Sequence, residues 1–331
     1  MLDQSPVCQG STGADALRRS VDLARFVDAL GYTRYWVAEH HGTPMLAGAS
    51  PEILTGAIAA ATPRIRVGSG GVMLPHYSPL KVAETFSVLS ALHPGRIDLG
   101  LGRAAGTDPL TAFALQRDRR QAAPDDFPEQ LAELLAYLDD RWPRDHRFAR
   151  LAALPGRPEC PTPWLLGSSP DSGRWAADVG LPYAFADFIN PSGAAIARQY
   201  RDACIRKTDR EAPQVIAAVS AICAETDEQA ERLASSARMV FTLFFQGQFI
   251  QVPPVETAVR FLEEQASEAG ALARRRRMLV GSPDTVRRGL EAVVADYGAD
   301  EIMIVTITYD HEARKRSYEL IASAFGIGSR P

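Results

Sequence analysis

The sequence predicts an α/β fold of the (β/α)8 type, a TIM barrel with insertions. Three observations lead there. Short apolar strands alternate with amphipathic helices along nearly all of the 331 residues. The stretch from Arg64 to Arg103 reads as strand, helix and strand, a βαβ unit whose two strands must be parallel. No GxGxxG turn follows the first strand, which counts against the competing doubly wound open sheet. The chain is read as one barrel domain over 1–331, with insertions at about 104–127, 141–162 and 225–280.

The elements follow in order. Leu2 to Pro6 is a short first strand, and Ala14 to Leu30 carries a helical apolar stripe closed by Gly31. Tyr35–Ala38 is the second strand and runs into Glu39-His40-His41. Pro51 to Ala61 is a helix with Ser50 as its N-cap and a proline in its first turn. The third strand enters Gly68-Ser69-Gly70-Gly71, small enough for something other than a protein side chain to approach the backbone. A helix from Pro79 to Leu92 stops at His93-Pro94-Gly95, and the strand Ile97–Gly102 delivers Arg103 to its carboxyl end. Thr107 to Asp126 and Arg141 to Pro163 read as irregular excursions around a helix at Pro128–Leu138.

Pro163–Gly167 is the fifth strand, followed by the serine-rich start of a helix that ends at Val179. Tyr183–Ala186 and Gln214–Ala224 are strands six and seven, each with a helix behind it, Gly193–Cys204 and Asp227–Phe245. Gln246 to Arg277 reads as one long irregular connection containing four consecutive arginines. In a compact domain, so long a loop is expected to close over the mouth of the barrel. Ser282-Pro283-Asp284 opens another helix, Glu301–Ile307 is the eighth strand, and His311–Phe325 is the last helix.

Composition narrows the function. A hydrophobic content of 46% builds a large core, and a net charge of −4 argues against nucleic acid as a partner. The chain has no apolar run of about eighteen residues and no charged-then-apolar leader, so a cytoplasmic protein without membrane attachment is expected. The four cysteines are scattered without a CxxC, which fits reduced thiols and no metal site.

In such barrels the chemistry lies at the carboxyl ends of the strands. There the sequence places Asp3, Glu39-His40-His41, Gly70 and Gly71, Gly102 with Arg103, Ser168, Ser169 and Ser172, and Ala186-Asp187. Arg103 and the serines end adjacent strands, so they could clamp one phosphate at a helix start. Each also has an ordinary structural use, the arginine in a loop ion pair and the serines as caps. Consecutive residues of a strand face opposite ways, so His40 and His41 cannot easily share an ion, and no metal is expected. With no serine elbow or nucleophilic cysteine beside it, His40 suits general acid–base work.

These residues resemble the bacterial luciferase-like flavin-dependent monooxygenases, close to the single-chain branch that includes natural-product tailoring oxygenases. The resemblance runs from Leu2 to Phe325. It rests on LDQSP at Leu2, WVAEHH at Trp36, GSGGVMLPHYSPLKVAE at Gly68, GRIDLGLGRA at Gly95, WLLGSS at Trp164, WAADVGLP at Trp175 and VGSPDTVRRGLE at Val280. It implies reduced FMN delivered by a separate flavin reductase, O2 as co-substrate, and a flavin peroxide that oxidises a small organic molecule, such as an aromatic or polyketide intermediate. It further implies a homodimer, His40 as the catalytic histidine, and a non-proline cis peptide at Gly70-Gly71 beneath the flavin ring. Gly102, Arg103, Ser168, Ser169 and Ser172 fall at cofactor-binding positions. Luciferase itself has a glutamate where this chain has Ser168 and a cysteine where it has Gly102, so light emission is not implied. An F420-dependent hydride-transfer enzyme and a non-catalytic flavin-binding protein remain as alternatives, with a metal-dependent barrel hydrolase last.

Overall fold

The computed structural model describes residues 1–103, 108–116, 118–121, 125–143, 145–156, 159–207, 214–265 and 277–328. Among the described residues nine strands, all paired in parallel, form a single curled sheet. The order is sequential from β1 (Leu2–Asp3) and β2 (Arg34–Val37) through β3 (Arg66–Met73), β4 (Ile97–Gly102), β5 (Thr162–Gly167) and β6 (Tyr183–Ala186) to β7 (Val215–Cys223). β7 then pairs twice. Its first half pairs β9 (Glu301–Val305), and its last residues pair β8 (Met278–Gly281). β1 comes to lie beside β9, which completes the round of the predicted barrel.

Helices return the chain between strands as the right-handed βαβ rule requires. They are α1 (Gly13–Leu30), α2 (Pro51–Ala61), α3 (Pro79–Leu92), α4 (Pro109–Leu115), α5 (Phe127–Asp139), α6 (Pro170–Val179) and α7 (Ala194–Lys207). α8 (Asp227–Phe245), α9 (Val255–Glu264), α10 (Pro283–Tyr297) and α11 (His311–Ala324) follow. α1 starts on a reciprocal Thr12–Asp15 capping box and stops at Gly31, whose φ is +89°. Ser50 and Ser282 occupy the N-cap positions as read, but neither caps with its side chain; the prolines that follow set the first turn instead.

Two apolar layers hold the barrel. The larger lies between sheet and helices and includes Tyr35, Val67, Leu99, Phe86, Tyr183 and Phe185, all essentially unexposed. The smaller fills the barrel itself with Leu2, Trp36, Trp164, Ile216, Met303 and Val305. Below that plug, Arg34 bridges Glu301 and Asp98, each at 2.8 Å, and Arg66 meets the other oxygen of Asp98 at 2.5 Å. Asp98 also accepts from the Trp36 indole at 2.9 Å, so this buried carboxylate is fully partnered.

The sequence reading differs from the structure in three places. Pro109–Leu115, inside a stretch read as irregular, forms α4. Eight strands were expected and nine are present among the described residues, because Met278–Gly281 adds a short strand at the end of the insertion read at about 225–280. Four residues are too few for a period-two pattern to declare itself. The connection 246–277 is also more ordered than predicted over its described part. Val252 is wholly buried and bridges Cys8, Gln9 donates its N–H to the Val252 carbonyl at 2.8 Å, and Val255–Glu264 forms α9 against α8. Arg274, Arg275 and Arg276 of the arginine run lie outside the described residues.

Candidate active site

All eight residues singled out as catalytic or cofactor-binding line one cavity of about 620 Å³ at the carboxyl ends of the strands. They are His40, Gly70, Gly71, Gly102, Arg103, Ser168, Ser169 and Ser172. They arrive from β2, β3, β4, β5 and the start of α6, which only the curling of the sheet brings together. The volume is in the range of small-molecule and cofactor sites.

The floor is built from β3 and β4. The Gly70-Gly71 peptide bond is cis. A methyl group on Gly71 would lie 2.7 Å from the Gly100 carbonyl oxygen, and one on Gly70 would lie 2.6 Å from Leu2. The close approach read from this glycine run is therefore made first by the protein itself. Gly102 differs: a Cβ there would have no neighbour nearer than the Val72 carbonyl at 4.0 Å, so its side faces open cavity. A larger residue at position 102 would fill that space.

His40 and Glu39 form the wall next to it. Nδ1 of His40 is buried without a hydrogen-bond partner, while its backbone N–H donates to Gly48 at 2.8 Å. Burial, helped by neighbouring His41, pushes the His40 imidazole down to about 4, so it is neutral near pH 7. The Glu39 side chain has no exposure and is completely partnered. It accepts from the Met73 N–H at 2.9 Å, the Tyr77 hydroxyl at 3.0 Å and His41 Nε2 at 2.7 Å. Glu39 thus ties the end of β2 to the end of β3, leaving His40 as the group turned to the cavity.

The opposite end is cationic and hydroxyl-rich. Arg103 stands at the end of β4 with its side chain 45% exposed, pairs with Asp125 at 3.0 Å and lies 5.4 Å over the Trp175 ring. Ser169 caps α6, and Ser172 closes the capping box. The Ser172 hydroxyl also donates to the Ser169 carbonyl at 2.7 Å and lies 2.8 Å from the Tyr183 hydroxyl, so it is already engaged. A guanidinium beside the first turn of a ten-residue helix is an arrangement that suits an anion.

Other strand-end residues are used elsewhere. Asp3, which the sequence reading named at a strand end without a role, does not line the cavity. It is fully buried and holds Arg314 at 2.7 Å and the Tyr35 hydroxyl at 2.6 Å. Asp187 accepts from the Tyr297 hydroxyl at 2.8 Å, and burial raises its carboxyl. The sequence reading missed Gln4, Phe127, Phe188 and Ile189, which line the cavity. Gln4 lies two residues after Leu2, whose inward direction shows only once Leu2 pairs with Trp36, so the sequence alone carried no signal for it. The aromatic residues lie in segments without a strand pattern and had none either.

The family model described as luciferase-like monooxygenase matches residues 3–301. The chain belongs to that family. The similarity extends to a Bacillus subtilis (strain 168) protein named N-acetyl-S-alkylcysteine monooxygenase, 36% identical over 98% of this chain and 97% of the relative. A luciferase-like monooxygenase of Escherichia coli (strain K12) is 39% identical over 97% and 94% of the two chains. Among solved structures, apo-MsnO8 superimposes with a TM-score of 0.91 at 41% identity, covering 100% of this chain and 98% of that one. Two structures at identities that speak for the fold alone share the barrel. One is the oxygenating constituent of 3,6-diketocamphane monooxygenase from Pseudomonas putida in complex with FMN, at 21% identity and TM-score 0.73 over 98% and 96% of the chains. The other is an F420-dependent secondary alcohol dehydrogenase, at 13% identity and TM-score 0.69 over 94% of each. The family assignment makes the chain an oxidoreductase of monooxygenase type. No helix among the described residues is long and apolar enough to cross a membrane.

Proposed function

We propose that this chain is an FMNH2-dependent monooxygenase that oxidises a small organic substrate with O2, drawing reduced flavin from a separate reductase. The observation that carries the reading is the convergence of an unpartnered neutral histidine, a bare glycine floor and a cationic helix start on one cavity. The donor set fits a flavin mononucleotide. Arg103, Ser168, Ser169 and the start of α6 suit its phosphate, Gly102 with Gly70 and Gly71 gives flat backbone for its ring, and His40 offers a nitrogen at the reacting end. When bound, reduced FMN supplies the electrons that activate O2.

The chain's own residues then do three things. Arg103 and the α6 start anchor the cofactor. The apolar walls, Phe127, Leu166 and Phe188 among them, keep water away from the reacting centre. Neutral His40 accepts or donates a proton at Nδ1 during oxygen transfer. The reading includes a cytoplasmic location and a homodimer, the dimer supported by exposed Ile53, Val88 and Leu92 on the outer helices α2 and α3. Thioethers, suggested by the N-acetyl-S-alkylcysteine monooxygenase, join aromatic and polyketide compounds as substrates to assay.

Titration of the protein with FMN and with F420, followed by oxygen-electrode assays with a flavin reductase and NADH, tests the proposal. FMN should bind and substrate-dependent product carrying oxygen from 18O2 should form. Binding of F420 in preference to FMN, with no oxygen incorporated, would overturn it.

A further inference from the structure

Among the described residues, the cavity has a second polar side chain without a hydrogen-bond partner, that of Gln4, which lines it. Its position follows from strand parity. Leu2 pairs with Trp36 in register, and both point into the barrel plug. Just past the strand ends, Gln4 after β1 and Ala38 then His40 after β2 follow Leu2 and Trp36 at two-residue spacing and line the cavity. Gly70 packs against Leu2 and Trp36 directly below. Half-buried Gln4 and the buried, unpartnered Nδ1 of His40 thus follow the ends of neighbouring strands and line the same cavity as the cis Gly70-Gly71 peptide.

The charges lining the same cavity are few. Among the described lining residues, the full charges are Glu39 and Arg103. Both oxygens of Glu39 are taken by Met73, Tyr77 and His41. Arg103 follows the end of β4, while Gln4 and His40 follow the ends of β1 and β2. Apolar Met73, Leu166, Ala186, Phe188 and Ile189 line the same cavity. A carboxylate placed there would lose its hydration without a counter-charge, a cost that an uncharged group avoids. A polar site that has lost water to a ligand recovers that loss only through hydrogen bonds.

We propose that Gln4 is a substrate-positioning residue which, with His40, grips one uncharged hydrogen-bonding group (a carbonyl, ester or amide) of a substrate whose remaining body is apolar. The carboxamide can donate and accept, so it serves either type of group. The inference rests on the FMN reading for the occupancy of Arg103, but the Gln4 contact does not depend on it.

The test uses a charge-only pair of thioethers, N-acetyl-S-methylcysteine and its methyl ester, titrated into the FMN-loaded protein with flavin absorbance as the readout. The ester should bind at least about tenfold tighter than the free acid. Gln4→Leu, which keeps the volume, should lose about three- to tenfold in ester affinity with FMN affinity unchanged, the loss of one neutral hydrogen bond. Gln4→Glu should weaken the ester as well while still binding FMN. In the flavin-free protein, the Gln4 side-chain NH2 resonances should shift on adding the ester. Equal or tighter binding of the acid, an unaltered ester affinity in Gln4→Leu, no binding of either compound, or unmoved Gln4 resonances would each overturn the proposal. Failure of FMN to bind the wild-type protein would overturn the cofactor reading instead, and the flavin-free resonance experiment still decides the role of Gln4.

Discussion

Replacing Arg103 by alanine should weaken FMN binding about tenfold and leave riboflavin binding unchanged. A hydrogen bond to a charged group contributes about 1.5–3 kcal/mol. Two features of the structure place Arg103 at the lower end of that range. Its side chain keeps 45% of its surface in solvent, and its guanidinium already pairs with the exposed Asp125 at 3.0 Å. Solvent screens the phosphate contact, and Asp125 must be shared or released. About 1.5 kcal/mol remains, which is close to a factor of ten in Kd. The Trp175 ring, 5.4 Å from the guanidinium carbon, holds the fork in place, so Arg103→Lys should recover part of the affinity but not all. Flavin fluorescence titrations with FMN and riboflavin on the three proteins give the answer. An unchanged FMN Kd in Arg103→Ala, or an equal loss for riboflavin, would show that the guanidinium does not meet the phosphate.

Three more outcomes are expected. His40→Ala should retain FMN affinity while steady-state product formation falls by about 10²–10⁴-fold, the range for a general acid or base; undiminished turnover would make His40 structural. Because burial holds the His40 imidazole near 4 in the fold, against about 6.5 in the unfolded chain, the unfolded state binds more protons between those values. Stability is therefore complete above about pH 6.5 and declines as pH falls toward about 4, so His40→Gln should flatten that acid limb in urea titrations at about pH 4.5 and about pH 7. Arg314→Met should lower unfolding free energy by about 3–5 kcal/mol, since it strands buried Asp3 without its 2.7 Å partner; a loss below about 1 kcal/mol in the same assay would mean that Asp3 finds other compensation.

Most of the barrel was legible in the sequence because its signals are local. Apolar runs punctuated by glycine and proline mark strands and helices wherever the element is long enough to show a period, as Ala14–Leu30 and Gln214–Ala224 do. The site was legible for a related reason. Barrel topology sends every strand's carboxyl end to one face, so His40, Arg103 and the serines could be assembled in advance without a distance.

What remained hidden depends on orientation and on partners far away in the chain. Asp3 and Gln4 are adjacent, and a strand this short does not reveal which of them faces inward. Pairing Leu2 with Trp36 settles it, sending Asp3 to Arg314, 311 residues away, and Gln4 into the cavity. Glu39 stands beside His40 in the sequence, and only the return of Met73 and Tyr77 shows that it is fully occupied. The strand Met278–Gly281 exists because the last residues of β7 extend beyond β9 and offer it a free edge. Residue type and local period were written in the sequence. Which face is buried, and which polar group is left over for a ligand, was decided by the closing of the sheet, because burial and hydrogen-bond satisfaction are properties of neighbours brought together from across the chain.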